Sequence, residues 1–198
     1  MTDQVGIVNL ALTRIGAKAI NSMDADRESA RVASLVYEPV RDAELQANPW
    51  KFALRRASLA ASSNTPAFGY DLQYIVPADF LRLYEINEYP AMFPVSDPFF
   101  SIESHENDGK VIATNETAPL KIRYVAKITS EAAYDPLFVQ AFACALAVTL
   151  CDRLTEHQGK KEMVIAEYRE RIGIAKRIDA IQAPPTPFPE SAWLNSRF

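Results

Sequence analysis

Between Pro136 and Leu154 the chain loses its mixture of apolar and polar positions: Leu137 to Cys151 is broken only by Gln140 and Thr149. A helix apolar on every side has to be buried on every side, so this stretch is predicted to be a central rod wrapped by the rest of the chain. Asp135 is placed to cap its first turn, and Pro136 suits the first helical position, where a missing N–H costs nothing. A membrane span needs about 20 apolar residues, and Asp152, Arg153 and Glu156 end this run first, so no membrane span is expected. The alanines allow neighbouring helices to come close.

Helical spacing recurs elsewhere. Val5, Val8, Leu12 and Ile15 follow Thr2 and Asp3, and Gly16 stands where a left-handed terminator belongs. A second helix carries the stripe Ala33, Val36, Val40, Ala43 and Ala47, and Pro39 inside it predicts a kink or break near Leu35 to Pro39. Asn48-Pro49 ends that helix, with Trp50 as the anchor of its exit. Ile165, Tyr168, Ile172, Ala175, Ile178 and Ile181 mark a last helix, where Glu167 and Arg171 lie one turn apart.

The middle of the chain follows a two-residue period. Leu120, Ile122, Tyr124 and Ala126 alternate with Lys121, Arg123 and Lys127, the pattern of a half-buried strand. Phe100 to Glu106 and Val111 to Ala113 flank the turn Asn107-Asp108-Gly109-Lys110 and predict a hairpin. Pro77 to Phe80 reads as a tight turn leading into a strand over Leu81 to Ile86, and Pro90, Pro94 and Pro98 then punctuate a loop holding Phe93, Phe99 and Phe100. Leu54 to Asn64 fits strand or short helix equally. Together these elements predict an α+β, mainly α chain: a four-helix bundle around a buried central helix, with a small antiparallel sheet inserted. One domain over residues 1–182 is expected, its helices within 3–47 and 135–182 and its β-rich insertion at about 54–128. Residues 183–198, with Pro184, Pro185, Pro187 and Pro189 among Phe188, Trp193, Leu194 and Phe198, are expected to leave it as an extended arm.

Asn9-Leu10-Ala11-Leu12 with Ile15-Gly16, Arg41-Asp42-Ala43-Glu44-Leu45 and Pro49-Trp50-Lys51-Phe52-Ala53 occur in an order that resembles the tail tubular protein A family. These are the head-to-tail adaptors of short-tailed bacteriophages. Gly69-Tyr70, Tyr74 and Pro77-Ala78-Asp79-Phe80-Leu81-Arg82 continue the likeness, which covers about residues 5–180; Pro39 departs from an uninterrupted second helix. The resemblance implies a virion structural protein, made in the host cytoplasm and placed in the tail at the head-tail interface. It further implies a dodecameric homo-oligomeric ring below the portal protein, with the tail nozzle protein beneath and genomic DNA passing through without specific binding. Within that picture the arm residues Phe188, Trp193, Leu194 and Phe198 are expected to dock on the portal.

Composition adds limits. With 198 residues, 48% of them hydrophobic and 23% charged, a sizeable core is affordable, and the net charge of −4 argues against general nucleic-acid binding. Cys144 and Cys151 lie about 10 Å apart along one helix, too far for a mutual disulfide, and suit buried thiols in a reducing compartment. Neither has a base partner for nucleophilic catalysis, and no Gly-rich phosphate loop is present. His105 among Glu103, Glu106 and Asp108 offers too few ligands for a metal, with His157 at a distant polar helix end. Trp50, Tyr70, Tyr74 and Tyr168 are expected as core or helix-end anchors rather than a ligand box. No catalytic residue, cofactor or metal is therefore expected. The rival reading is a tail-associated hydrolase of polysaccharide or peptidoglycan, for which Glu85 with Glu88, or Asp71 with Asp79, would be the acid and base.

Overall fold

A computed structural model describes residues 3–91, 100–155 and 158–182. The first helix, α1 (Gln4–Ile15), starts where the Asp3 carboxylate accepts a hydrogen bond from the Gly6 N–H at 2.8 Å, and it ends at Gly16 with φ 73°. The left-handed turn lets Ala17 N–H reach the Leu12 carbonyl at 2.9 Å. Beyond it, the Asn9 carboxamide pairs with both backbone polar groups of Ile20 and so fixes the path toward the next helix.

That helix, α2 (Glu28–Ala47), runs through Pro39 without interruption, so the expected break does not occur. Its buried face also differs from the expected stripe: Ala30, Ala33, Tyr37, Arg41 and Leu45 point inward, while Ala43 and Ala47 are exposed. The rotation follows from Arg41, a charged residue that an apolar count assigns to solvent. Its guanidinium is buried because Asp42 accepts from Nε at 2.8 Å and Glu38 lies 3.5 Å from Nη1. Asp42 also reaches Lys127 at 2.9 Å, tying α2 to the end of the sheet.

The apolar run forms α3 (Pro136–Leu154), followed by α4 (Gln158–Ile181). Asp135 sits at the α3 N-cap, but its side chain makes no capping bond there; its carbonyl accepts from Val139 N–H at 3.0 Å. Although α3 is long and apolar enough to cross a bilayer, it is packed by α1, α2 and α4. Phe138, Phe142, Leu146 and Leu150 are within 1% of complete burial. Gln140 has a defined purpose: its Oε1 accepts from Arg14 Nη2 at 2.7 Å, and the same guanidinium meets Glu167 of α4 at 3.2 Å.

Among the described residues, seven strands occupy the middle of the chain. β1 (Leu54–Leu59), β3 (Phe80–Ile86), β4 (Tyr89–Pro90) and β7 (Leu120–Ala126) form an antiparallel sheet in the order β1-β7-β3-β4. β2 (Leu72–Ile75), β5 (Phe100–His105) and β6 (Gly109–Thr114) form a second antiparallel sheet in the order β2-β6-β5. Tyr74 and Ile112 of the second sheet join Leu83, Ile122 and Tyr124 of the first in one hydrophobic core with α1, α2 and α3.

Among the described residues the fold is thus α+β with four helices and two antiparallel sheets, about 47% helical, and not a four-helix bundle carrying one small sheet. Two physical causes account for the correction. The ambiguous run after Trp50 becomes a six-residue strand because β7 supplies a complete antiparallel partner, from Leu54 opposite Val125 to Leu59 opposite Leu120. In addition α2 packs on β3 and β7 as well as on α3, so the sheets share the core instead of hanging from a bundle.

Candidate functional site

β-strand geometry sends alternate residues to one face, so the pairing of β1, β7 and β3 lines up charges in rows. Arg56 of β1 lies opposite Arg123 of β7, which lies opposite Glu85 of β3. On the next row of that face Ser58 lies opposite Lys121. These side chains, with Glu88 from the β3–β4 turn, line a cleft of about 560 Å³.

Arg123 is the fixed element of the cleft. Its Nη1 donates to both Glu85 oxygens, at 2.8 and 2.9 Å, and its guanidinium carbon lies 5.1 Å from the centroid of the Tyr84 ring. The rim is fixed as well. Asn87 N–H donates to the Lys121 carbonyl at 2.8 Å, and Asn87 Oδ1 accepts from Lys121 N–H at 3.1 Å. Asn87 and Glu88 form a two-residue turn between Ile86 and its partner Tyr89, both with positive φ, 46° and 72°. Only asparagine of the two tolerates that region readily.

The proposed acid and base pairs fare differently. Glu85 and Glu88 do share the cleft, but both Glu85 oxygens are held by one guanidinium, making it a counter-charge rather than a free acid or base. Asp79 accepts from Arg55 at 2.6 Å and from the Tyr124 hydroxyl at 2.9 Å. Asp71 is exposed at the start of β2, in the other sheet.

The hairpin residues form a pin instead of a ligand set. One oxygen of Asp108 accepts from Ser62 Oγ at 3.0 Å, Asn64 Nδ2 at 3.0 Å and Gln73 Nε2 at 3.1 Å. Asn64 foremost, with Ser62, His105 and Gln73, holds the Asp108 carboxyl below its usual range. His105 Nδ1 accepts from Asn107 N–H at 3.4 Å, and Glu103 and Glu106 are exposed. Among the described residues no group of three or more His, Cys, Asp and Glu is arranged to hold a metal. Cys144 and Cys151 are both buried free thiols, and burial pushes the Cys144 thiol up.

Trp50 is buried at the α2 exit, donating to the Glu44 carbonyl at 3.0 Å and packing edge-on to Phe138 at 5.1 Å. Tyr74 donates to the Glu116 carbonyl at 2.7 Å and Tyr168 to the Glu44 carboxylate at 2.8 Å, while Tyr70 is half-buried. Burial raises the Glu44 carboxyl. Phe188, Trp193, Leu194 and Phe198, the arm that carries them, His157, and the loop residues Phe93, Pro94, Pro98 and Phe99 lie outside the described residues. The convergence of Arg56, Lys121 and Arg123 was not foreseen. The alternation of β7 already put Lys121 and Arg123 on one side, but Arg56 joins them only once Leu54 to Leu59 is read as a strand. No protein-family model matches the chain, and no curated protein matches it.

Proposed function

We propose that this protein is a structural adaptor of a short-tailed phage virion, a ring subunit between portal and tail nozzle that continues the DNA channel and performs no catalysis. The observation that carries this reading is where the residues of the resemblance sit. Leu12, Leu45, Trp50 and Tyr74 are within 1% of complete burial, and Asn9 and Gly16 shape the α1 exit. To the extent of these positions the likeness is one of framework, which is what a ring-building subunit has to keep. The charge of −4 suits a channel through which phosphates pass without being gripped, since every phosphate neutralised adds salt-dependent affinity. Its partners are then further copies of itself, the portal and the nozzle, and its place is the head-tail interface of a virion assembled in the host cytoplasm.

Native mass spectrometry of the protein mixed with the portal protein of the same phage tests the reading. One discrete complex with many adaptor copies per portal ring is expected. Absent binding, or only one-to-one binding, would overturn it, and release of sugar from cell-wall polysaccharide abolished by Glu88→Gln would put a hydrolase in its place.

A further inference from the structure

We propose that the charged cleft on the four-stranded sheet receives the β5–β6 hairpin of a neighbouring copy, through Glu103 and Glu106. The proposal takes its setting from the adaptor reading but rests on the charges themselves. Arg56 faces Arg123 directly across the β1–β7 ladder, and like charges in that position destabilise a sheet. Glu85 compensates Arg123 with a two-oxygen contact. It leaves Arg56 and, one row along, Lys121 exposed and without an ion pair among the described residues. The cleft is therefore short of carboxylates on the β1 side.

The same chain carries carboxylates of the matching kind. Glu103 lies on β5, an edge strand, and Glu106 lies in the turn that follows; both are exposed and without an ion pair among the described residues. Their hairpin is already ordered. Three donors clamp Asp108, and Gly109 takes the left-handed conformation, φ 71°, that closes the turn. A preordered element loses little freedom on docking, which leaves more of the charge attraction as affinity. Two carboxylates answer Arg56 and Lys121, whereas the three cations of the cleft set against Glu85 and Glu88 leave too little positive charge for the run of phosphates of a nucleic-acid strand. Cleft and hairpin are different surfaces of one chain, so the contact is head-to-tail, the kind that generates a ring when its rotation closes.

The test is charge exchange. R56E/K121E reverses the cleft and E103K/E106K reverses the hairpin, all at exposed positions, with circular dichroism to verify folding. Self-association is measured by sedimentation at high protein concentration and low salt, alone and with the portal. Each double variant should associate roughly tenfold or more weakly than wild type. A mixture of the two variants, and the chain bearing all four reversals, should regain association. Wild-type association by either double variant would overturn this contact; intact portal binding would then leave the adaptor reading standing. Charge-exchange rescue without portal binding would do the opposite. Salt-sensitive binding of duplex DNA by wild type, lost in R56E/K121E while E103K/E106K assembles normally, would overturn the contact in favour of a nucleic-acid groove.

Discussion

The Asn9 carboxamide and the Ile20 backbone form a closed pair of hydrogen bonds, Oδ1 accepting from the N–H at 2.8 Å and Nδ2 donating to the carbonyl at 2.9 Å. One side chain thereby does for the α1–α2 link what a strand partner does for a strand. Asn9→Ala removes both partners of a residue that is itself buried, so a loss of about 2 kcal/mol is expected, read as a lower urea midpoint at unchanged slope. Asn9→Asp should lose nearly as much, because a carboxylate cannot donate to the Ile20 carbonyl.

Phe142 has no exposed surface and meets the rings of Tyr37 at 5.2 Å and Phe138 at 5.8 Å. Phe142→Ala should cost about 3 to 5 kcal/mol. An unchanged thermal midpoint would mean that α3 is not the centre of the core.

Asp179 is the buried charge of α4, accepting from the Lys51 N–H at 2.8 Å where the chain turns from Trp50 into β1. Burial raises its carboxyl above its ordinary value of 3.8. The unfolded chain then gives up this proton at lower pH than the folded one, and stability from this group falls as pH rises from that value through the folded one. Asp179→Asn keeps an acceptor for Lys51. Its urea midpoint at pH 7 should equal or exceed that of wild type, with the advantage fading toward pH 3; a midpoint well below wild type at pH 7 would refute this.

Glu88 holds φ 72° beside Asn87 in the tight β3–β4 turn. Asn-Gly is the preferred pair for such a turn, and a non-glycine residue there carries roughly 1 to 2 kcal/mol of strain. Glu88→Gly is expected to raise stability by about 1 kcal/mol, the gain being partly offset by the freer unfolded chain. Thermal unfolding of the variant decides the matter.

Truncation after Gln182 addresses the arm expected to dock on the portal. The core formed by α1, α2, α3 and the two sheets lies wholly before that point. The truncated chain should keep its circular dichroism spectrum and melting temperature, while its co-sedimentation with portal drops sharply, since a few aromatic anchors commonly carry an interface. Unchanged co-sedimentation would remove the arm from the docking scheme.

What could be read in the sequence was local. Asp3 and Gly16 bound α1, the all-apolar run became α3, and Asp108-Gly109 marked a hairpin whose strands pair from Phe100 opposite Thr114 to His105 opposite Gly109. What escaped depends on partners far away in the chain. Leu54 to Leu59 has no strong period of its own and is a strand because of β7; Leu72 to Ile75 is only four residues and is a strand because of β6. The apolar stripe of α2 passed over Arg41, because its counter-charges, Glu38 and Asp42, are its own neighbours in the chain and no apolar pattern marks a buried guanidinium. The cleft was legible only as Glu85 and Glu88, since the register that sets Arg56 against Arg123 is not a property of either segment alone.

Gln140 carries a consequence for how the helices find one another. A surface of alanine and leucine packs almost as well after a small rotation or slide, because contact between apolar groups has no direction. The hydrogen bond from Arg14 to Gln140, continued to Glu167, does have one. A misaligned α1–α3–α4 docking would strand a guanidinium and an amide at a cost of about 1 to 3 kcal/mol each. That penalty separates the native alignment from its near neighbours, so a chain with Gln140 replaced by leucine should still collapse but should sample several alignments, losing near-ultraviolet dichroism before it loses helix.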